Sequence, residues 1–380
     1  MRSRYDSLNI LEQQKGRCLT LKRIASMVLC GLLLWSHVLS VYGIHTSASC
    51  SVLMEQESGR ILYEENPHQR RSVASITKLM TALVAVESGV NLKESISVPR
   101  EAVGAEGSSL YLKEGEVITL ETLLYGMLLH SGNDAALAVA VCCAGSVDDF
   151  VSEMNRKASE LGMSNTHFDN PNGLDGETHY STAYDMALLA RVCLMQETLA
   201  NILQTKNITL EGRTFTNHNK LLWRYDGCVG LKTGYTQKAG RTLVSAASRN
   251  GMTLIAVTLN DGNDWEDHSA LLDWGYANYN MVRVTERGTF FGTAPISGAL
   301  VPFIPVVTGE SFSYPVGKKD AMSLAIQWKE DCFSAPVIQG TVLGWLNVFC
   351  GEEQVGRVPL KTSRSLPSVL TERRGFMGVF

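Results

Sequence analysis

No charge excess of either sign dominates this chain of 380 residues: 34 lysines and arginines stand against 38 acidic residues, for a formal net charge of −4. That balance gives no basic footprint for a nucleic-acid backbone. No Walker-type glycine loop, Cys-x-x-Cys pair or His-Glu-x-x-His run occurs, and the eight histidines are scattered. A phosphate cradle and the common zinc motifs are therefore absent from the pattern, and neither cofactor nor metal is expected. Repeats and low-complexity stretches are also missing. What remains is a composition 45% apolar and 19% charged, which fits a globular chain rather than a disordered one, with length for two or three domains.

Nine cysteines are present. Cys18 and Cys30 fall in the N-terminal leader, and adjacent Cys142 and Cys143 read as packing residues of an apolar helix. Cys332 and Cys350 flank a strand region and could pair in an oxidising compartment. An odd number is left once the leader is set aside, so a full disulfide framework is not expected. The leader itself carries Arg2, Arg4, Lys15, Arg17, Lys22 and Arg23 ahead of an apolar run from Ile24 to Gly43. With small residues following (Ser47-Ala48-Ser49), residues 1–48 read as an export signal, the alternative being a retained N-terminal anchor.

The periodicities predict a hairpin (Cys50–Gln56 and Arg60–Tyr63 through Ser58-Gly59), then helices over Ile76–Val86, Leu120–Leu129, Phe150–Leu161 and Ala183–Leu194. An apolar helix capped by Asp134 is expected to run through Val141. Strands follow at Gly227–Thr233, Leu243–Ser248 and Thr253–Leu259, the last two joined by Arg249-Asn250-Gly251, and then a helix over Trp265–Tyr279. Strands, a helical block, strands and a final helix imply an α+β domain over 49–280, an antiparallel sheet built from both ends of the segment and covered by helices. Residues 281–380 are strand-rich and read as a small separate β domain.

Three short motifs stand in order: Ser75-Ile76-Thr77-Lys78, Ser131-Gly132-Asn133 and Lys232-Thr233-Gly234. Each taken alone is weak, because helix caps, helix breaks and strand glycines use these residues for structural reasons. Jointly they supply a serine acyl-transferase that handles protons with lysine. Ser75 at a helix start is the nucleophile, and Lys78, three residues on, lies beside it. A lysine acts as a base only if burial or neighbouring positive charge keeps it neutral, and Lys232 is placed to supply that charge. Ser131 is a candidate relay, and the Asn133 amide a candidate for holding a substrate amide. Lys232, Thr233 and Gly234 on a strand suit a carboxylate and a peptide laid along the edge. The backbone N–H groups of Ser75 and Tyr235 are candidates for an oxyanion hole.

The trio resembles the signature set of penicillin-binding proteins and class A β-lactamases, which has Asp in the middle of the second motif where this chain has Gly132. Ala74–Ala82, Leu129–Ala135, Asn170-Pro171-Asn172-Gly173-Leu174-Asp175, Tyr180–Ala187 and Gly230–Thr236 with Ala239-Gly240 resemble the low-molecular-mass penicillin-binding proteins, the D-alanyl-D-alanine carboxypeptidases. The resemblance covers about residues 50–280. In the nucleophile region and Glu55–Arg60 it looks most like the enzymes of spore-forming bacteria. It implies a penicillin-binding-protein/β-lactamase-like fold and an exported, extracytoplasmic enzyme of cell-wall or spore-cortex peptidoglycan. Its substrate would be the stem peptide, its covalent inhibitors β-lactams, and no nucleic acid would be bound.

The sequence departs from the pattern at Tyr235, where many relatives have His or Phe, and at Arg241, where an aromatic or small residue is usual. Many relatives end in a membrane-lying helix; here Pro367, Gly375 and Gly378 interrupt a weak apolar pattern, so peripheral membrane association stays open. A β-lactamase on the same fold lacks its Glu-x-x-Leu-Asn element between 155 and 185. D,D-endopeptidase or transpeptidase chemistry would use the same motifs, and a non-catalytic wall binder would not need Ser75, Lys78 and Lys232.

Overall fold

A computed structural model of the chain describes residues 44–369. The expected leader falls almost wholly outside the described residues, as does most of the C-terminal stretch considered as an anchor. No single helix among the described residues is long and apolar enough to cross a membrane.

The first domain is built on a five-stranded sheet in the order β2-β1-β9-β8-β7. Its strands are β1 (Cys50–Glu55), β2 (Ile61–Glu65), β7 (Cys228–Thr236), β8 (Gly240–Arg249) and β9 (Met252–Leu259). All pairings are antiparallel, with Val52 opposite Val257 and Lys232 opposite Val244. Strands from both ends of the domain thus share one sheet, as the order of elements implied. Asn250 and Gly251, with φ of +51° and +75°, form the two-residue turn between β8 and β9. Positive φ at both positions matches the twist of the flanking strands, which is why Asn-Gly marks such hairpins.

Every residue of β1 is buried, so both faces of the sheet are covered. On one face Cys50, Val52 and Met54 join a core with Ile76, Leu79, Met80, Leu123 and Met186. On the other lies α8 (Asp264–Asn278), where a Cβ on Gly275 would fall 2.6 Å from Leu254 and 2.8 Å from Leu53. The helical block comprises α1 (Lys78–Glu87), α2 (Leu120–Leu129), α3 (Asn133–Ala144), α4 (Val147–Glu160), α5 (Ala183–Met195) and α6 (Glu197–Gln204). Thr119, Ser146 and Thr182 cap α2, α4 and α5 by accepting the N–H of Thr122, Asp149 and Asp185. In α4 the buried residues Phe150, Met154 and Ala158 recur every four, leaving the charged face to solvent.

Two expectations need correction. Asp134 is not the cap of α3: Gly132 precedes that helix, and the Asp134 carboxylate accepts the N–H groups of Leu110, Leu112 and Ala135. It braces the 108–112 loop against the helix start. Cys332 and Cys350 are unpaired. Cys350 lies opposite Met322 at one end of the antiparallel pair formed by Met322–Trp328 and Val342–Cys350, whereas Cys332 lies beyond Trp328 at the other. The intervening strand spans about 20 Å at ~3.3 Å per residue, far beyond disulfide reach.

The second domain begins at β10 (Tyr279–Thr285), which pairs with β13 (Phe312–Gly317). A six-stranded sheet follows in the order β14-β16-β17-β12-β11-β15. These are β11 (Phe290–Ser297), β12 (Phe303–Thr308), β14 (Met322–Trp328), β15 (Phe333–Ser334), β16 (Val342–Cys350) and β17 (Glu353–Thr362). Ile296, Ile304, Val306 and Leu343 form one small core, Leu346, Val358 and Leu360 another.

Arg60 at the tip of the first hairpin joins the domains. Its Nη1 donates to the Pro315 carbonyl and to Asp320, each at 2.6 Å, and its guanidinium packs over Tyr279 and Tyr314. An ion pair that also makes two cation–π contacts and is four-fifths buried contributes more than an exposed one. Arg60→Ala is expected to lower the unfolding midpoint of the β domain by a few degrees in scanning calorimetry, roughly 1–2 kcal/mol. The transition of the first domain should be little moved.

Candidate active site

Ser75 sits in a 3₁₀ turn (Ala74–Thr77) that runs directly into α1. In a 3₁₀ turn residues i and i+3 eclipse one another, so Lys78 is brought over Ser75 more closely than α-helical spacing would allow. Lys78 Nζ lies 2.8 Å from Ser75 Oγ. The amine is completely buried, and its other partners are Asn133 Oδ1 at 2.7 Å and the Asn172 carbonyl at 2.5 Å. Neither partner carries a charge. Burial, with the Lys232 ammonium nearby, holds Lys78 well below the ordinary lysine range, and Asp134 offsets this only in part.

Lys232 on β7 is 1% exposed, and burial lowers it to about 7. Its Nζ donates to Ser131 Oγ at 3.2 Å and to the Thr233 carbonyl at 2.9 Å. Two lysines, each bridged to one serine, therefore flank a single cavity. That cavity has a volume of about 510 Å³ and is lined by Ser75, Ser131, Thr233, Gly234 and Tyr235, the last 66% exposed at the rim. Every residue singled out by the three motifs is brought to this place. Asn133 differs in what it does there. Its Oδ1 accepts from Lys78, and its Nδ2 donates to the Glu106 carbonyl at 2.5 Å. It positions the lysine, with one amide hydrogen left over.

The backbone at both serines is unusual. Ala74 has φ +51° and Ser131 φ +68°, conformations that L-residues seldom adopt and that cost of order 1 kcal/mol or more. Surrounding contacts hold them. A Cβ on Gly173 would fall 2.1 Å from the Ala74 carbonyl oxygen, and one on Gly234 would fall 2.9 Å from Ser75 N and 2.4 Å from Thr242 Oγ1. Only glycine at both positions permits these approaches.

The segment Pro171-Asn172-Gly173 is the part that residue-by-residue reasoning missed. Pro171 offers its carbonyl to Thr81 Oγ1 at 2.6 Å, Asn172 offers its own to Lys78, and Gly173 abuts Ala74. His179 secures the same region. Burial pushes its imidazole down to about 4, so it is neutral. Nδ1 accepts the Asp169 N–H, which leaves the proton on Nε2 to be donated to Thr77 Oγ1 at 2.9 Å. Arg241 and Trp265 also line the cavity. The Arg241 guanidinium is held by the buried Asp264 carboxylate and packs over the Trp265 ring, so the charge it brings is already balanced. His218 also lines the cavity, its ring tilted at 56° to that of His130, and it is kept neutral, at about 4, by burial and by Lys232.

Residues 38–263 match the family model described as D-alanyl-D-alanine carboxypeptidase, which spans more than half of the chain. The chain belongs to the D-alanyl-D-alanine carboxypeptidase family. Residues 279–368 match the model described as penicillin-binding protein 5, C-terminal domain. Curated relatives include D-alanyl-D-alanine carboxypeptidase DacF of Bacillus subtilis, 33% identical over 86% of this chain and 90% of its own length. D-alanyl-D-alanine carboxypeptidase DacD of Escherichia coli is 34% identical over 83% of this chain and 86% of its own. Among solved structures, penicillin-binding protein 5 from Haemophilus influenzae superposes with a TM-score of 0.75 at 27% identity, covering 87% of this chain and all of that one. The fold of the family, an antiparallel sheet with helices and a β-rich C-terminal domain, is the fold described above.

Gly234→Ala places a methyl group against Ser75 N and Thr242 Oγ1. Displacing the nucleophile by a fraction of an ångström to an ångström is expected to slow acylation of Ser75 by a β-lactam about 10²-fold, read as the rate of covalent labelling. Circular dichroism of the variant should be unchanged.

Proposed function

We propose that this chain is a serine D-alanyl-D-alanine carboxypeptidase working through an acyl-enzyme on Ser75, with Lys78 as its base. The observation that carries the reading is the fully buried Lys78 amine 2.8 Å from Ser75 Oγ, with only neutral oxygens as its partners and a second buried lysine nearby. A neutral amine there takes the hydroxyl proton as Ser75 Oγ attacks the penultimate D-Ala carbonyl of a peptidoglycan stem peptide. The oxyanion that forms is received by the backbone N–H groups of Ser75 and Tyr235, an assignment supported by the close approach of Gly234 to Ser75 N.

The terminal carboxylate is received by the Thr233 hydroxyl on the cavity wall, with the Lys232 charge behind it. Collapse of the tetrahedral intermediate expels D-Ala as its amine. Ser131 hands that amine a proton drawn from Lys232, a route supported by the 3.2 Å contact between them. The spare Asn133 amide hydrogen is available to a substrate carbonyl. Lys78 then gives the proton it took from Ser75 to the now neutral Lys232, water attacks the acyl-enzyme with Lys78 as base, and the proton taken from water returns to Ser75 Oγ as the ester breaks. A β-lactam would enter the same cavity and acylate the same serine. The family context supports action on the wall outside the cytoplasmic membrane, with the basic and apolar leader as the means of export.

The direct test is D-alanine release from a stem peptide ending in D-Ala-D-Ala. Ser75→Ala is expected to abolish both release and covalent β-lactam labelling, while Lys78→Ala leaves the fold and slows acylation by about 10³-fold or more. A folded wild-type chain that releases no D-alanine would overturn the reading.

The pH dependence follows from the two lysines. Acylation needs Lys78 neutral and Lys232 charged. The rate should fall in acid as Lys78 takes up a proton, and fall again as pH rises through about 7 and Lys232 loses its proton. A kcat/KM profile that climbed without an alkaline limb would show that the Lys232 charge is not required.

A further inference from the structure

Across the segment that carries Ser75, a second cavity of about 450 Å³ opens on the outer side of the catalytic wall. Ser72 lines it, three residues before the nucleophile, and so do Arg70, Arg71, Lys238 and Tyr180. Arg70 and Lys238 donate to neutral oxygens, whereas Arg71 lies near Cys50 with the Glu65 carboxylate in the same neighbourhood. Arg70 donates to the neutral Asn165 Oδ1 and lies over the Tyr180 ring, 4.7 Å from its centroid. Lys238 donates to the Gly176 carbonyl. Arg71 Nε is buried with no hydrogen-bond partner, one of few such atoms among the described residues. Cys50, the thiol near Arg71, is pushed up by burial and supplies no counter-charge. His179 on the wall is neutral. Glu177 is the one carboxylate among the lining residues, set against Arg70, Arg71 and Lys238, while Asp169 and Asp175 lie near His179 just behind the lining.

Like charges gathered in this way repel unless an anion is present. Two planar guanidinium forks and an ammonium match an anionic tetrahedral phosphate group, whose oxygens accept bidentate pairs. The Tyr180 ring holds Arg70 in place and so reduces the ordering cost of binding. We propose that this cavity is a binding site for a phosphate group, either free or carried as a phosphodiester on an anionic polymer. The site is separate from the peptide cleft, and its occupancy does not depend on the carboxypeptidase reading. Its position fits a tether: Ser72 of this cavity stands three residues before Ser75 of the catalytic cleft.

The test is isothermal titration of the full chain with inorganic phosphate and, separately, with a glycerol-phosphate oligomer, at ionic strength fixed with chloride. Wild type is expected to bind saturably. Arg70→Gln combined with Lys238→Gln is expected to bind roughly tenfold more weakly or worse, while covalent β-lactam labelling of Ser75 in that variant stays at the wild-type rate and so reports an intact fold. Tighter binding of the oligomer assigns polymer-borne phosphate; equal or tighter binding of inorganic phosphate assigns the free anion. Either supports the site. Absence of saturable binding above chloride, or unchanged affinity in the double variant, overturns it.

Discussion

Two lysines are buried side by side, and much of the first domain serves to keep them so. An ammonium group removed from water, with no carboxylate within hydrogen-bond reach, favours its neutral form. Two such groups cannot both be charged at low cost, so the pair shares its protons unequally. Lys78 is lowered by burial and by the Lys232 charge, whereas Lys232 is lowered by burial alone. The arrangement costs folding stability. Its return is an amine beside Ser75 held well below the ordinary lysine range, as the proposed base requires.

Holding that pair requires the sheet edge and the helical block to meet closely. β7 brings Lys232, α1 brings Lys78, and the break between α2 and α3 brings Ser131 and Asn133 between them. The 170–174 segment closes the floor by donating no charge at all, only carbonyls and a glycine. The left-handed backbone at Ala74 and Ser131 is the cost of that closeness, and both lie next to or within the reacting set. Asp134 extends the same logic outward, fixing the 108–112 loop whose Ser108 borders the cavity.

Much of this was legible in the sequence, for identifiable reasons. The expected Leu120–Leu129 helix matches the structure because Ser131-Gly132-Asn133 breaks it, and the Asn-Gly turn marks the β8–β9 hairpin; the Thr119 cap is an added feature the structure shows. The three motifs named the residues around the cavity. The α6 helix and the β5–β6 hairpin (Asn207–Leu210 and Arg213–Thr216) were not foreseen, although Glu211-Gly212 is a turn signal. Asn172 and Gly173 were seen only as part of a family-like string, because a backbone carbonyl acts regardless of the side chain that bears it. Asp134 was misread as a cap because its position next to a helix start is compatible with both uses, and only the neighbouring loop distinguishes them. The neutrality of Lys78 was conditional on burial, a property of the whole fold rather than of any spacing.

The charge state of Lys78 is therefore the central claim, and it is open to direct measurement. Lysine side-chain amines of the folded protein, labelled with ¹³C at Cε, report their own titration by NMR, and Lys78→Ala identifies the resonance. The account predicts a Lys78 signal that titrates well below the ordinary lysine range and moves upward in Lys232→Met, where the neighbouring charge is gone. A Lys78 signal that titrates like a solvent-exposed lysine and is indifferent to Lys232→Met would contradict it.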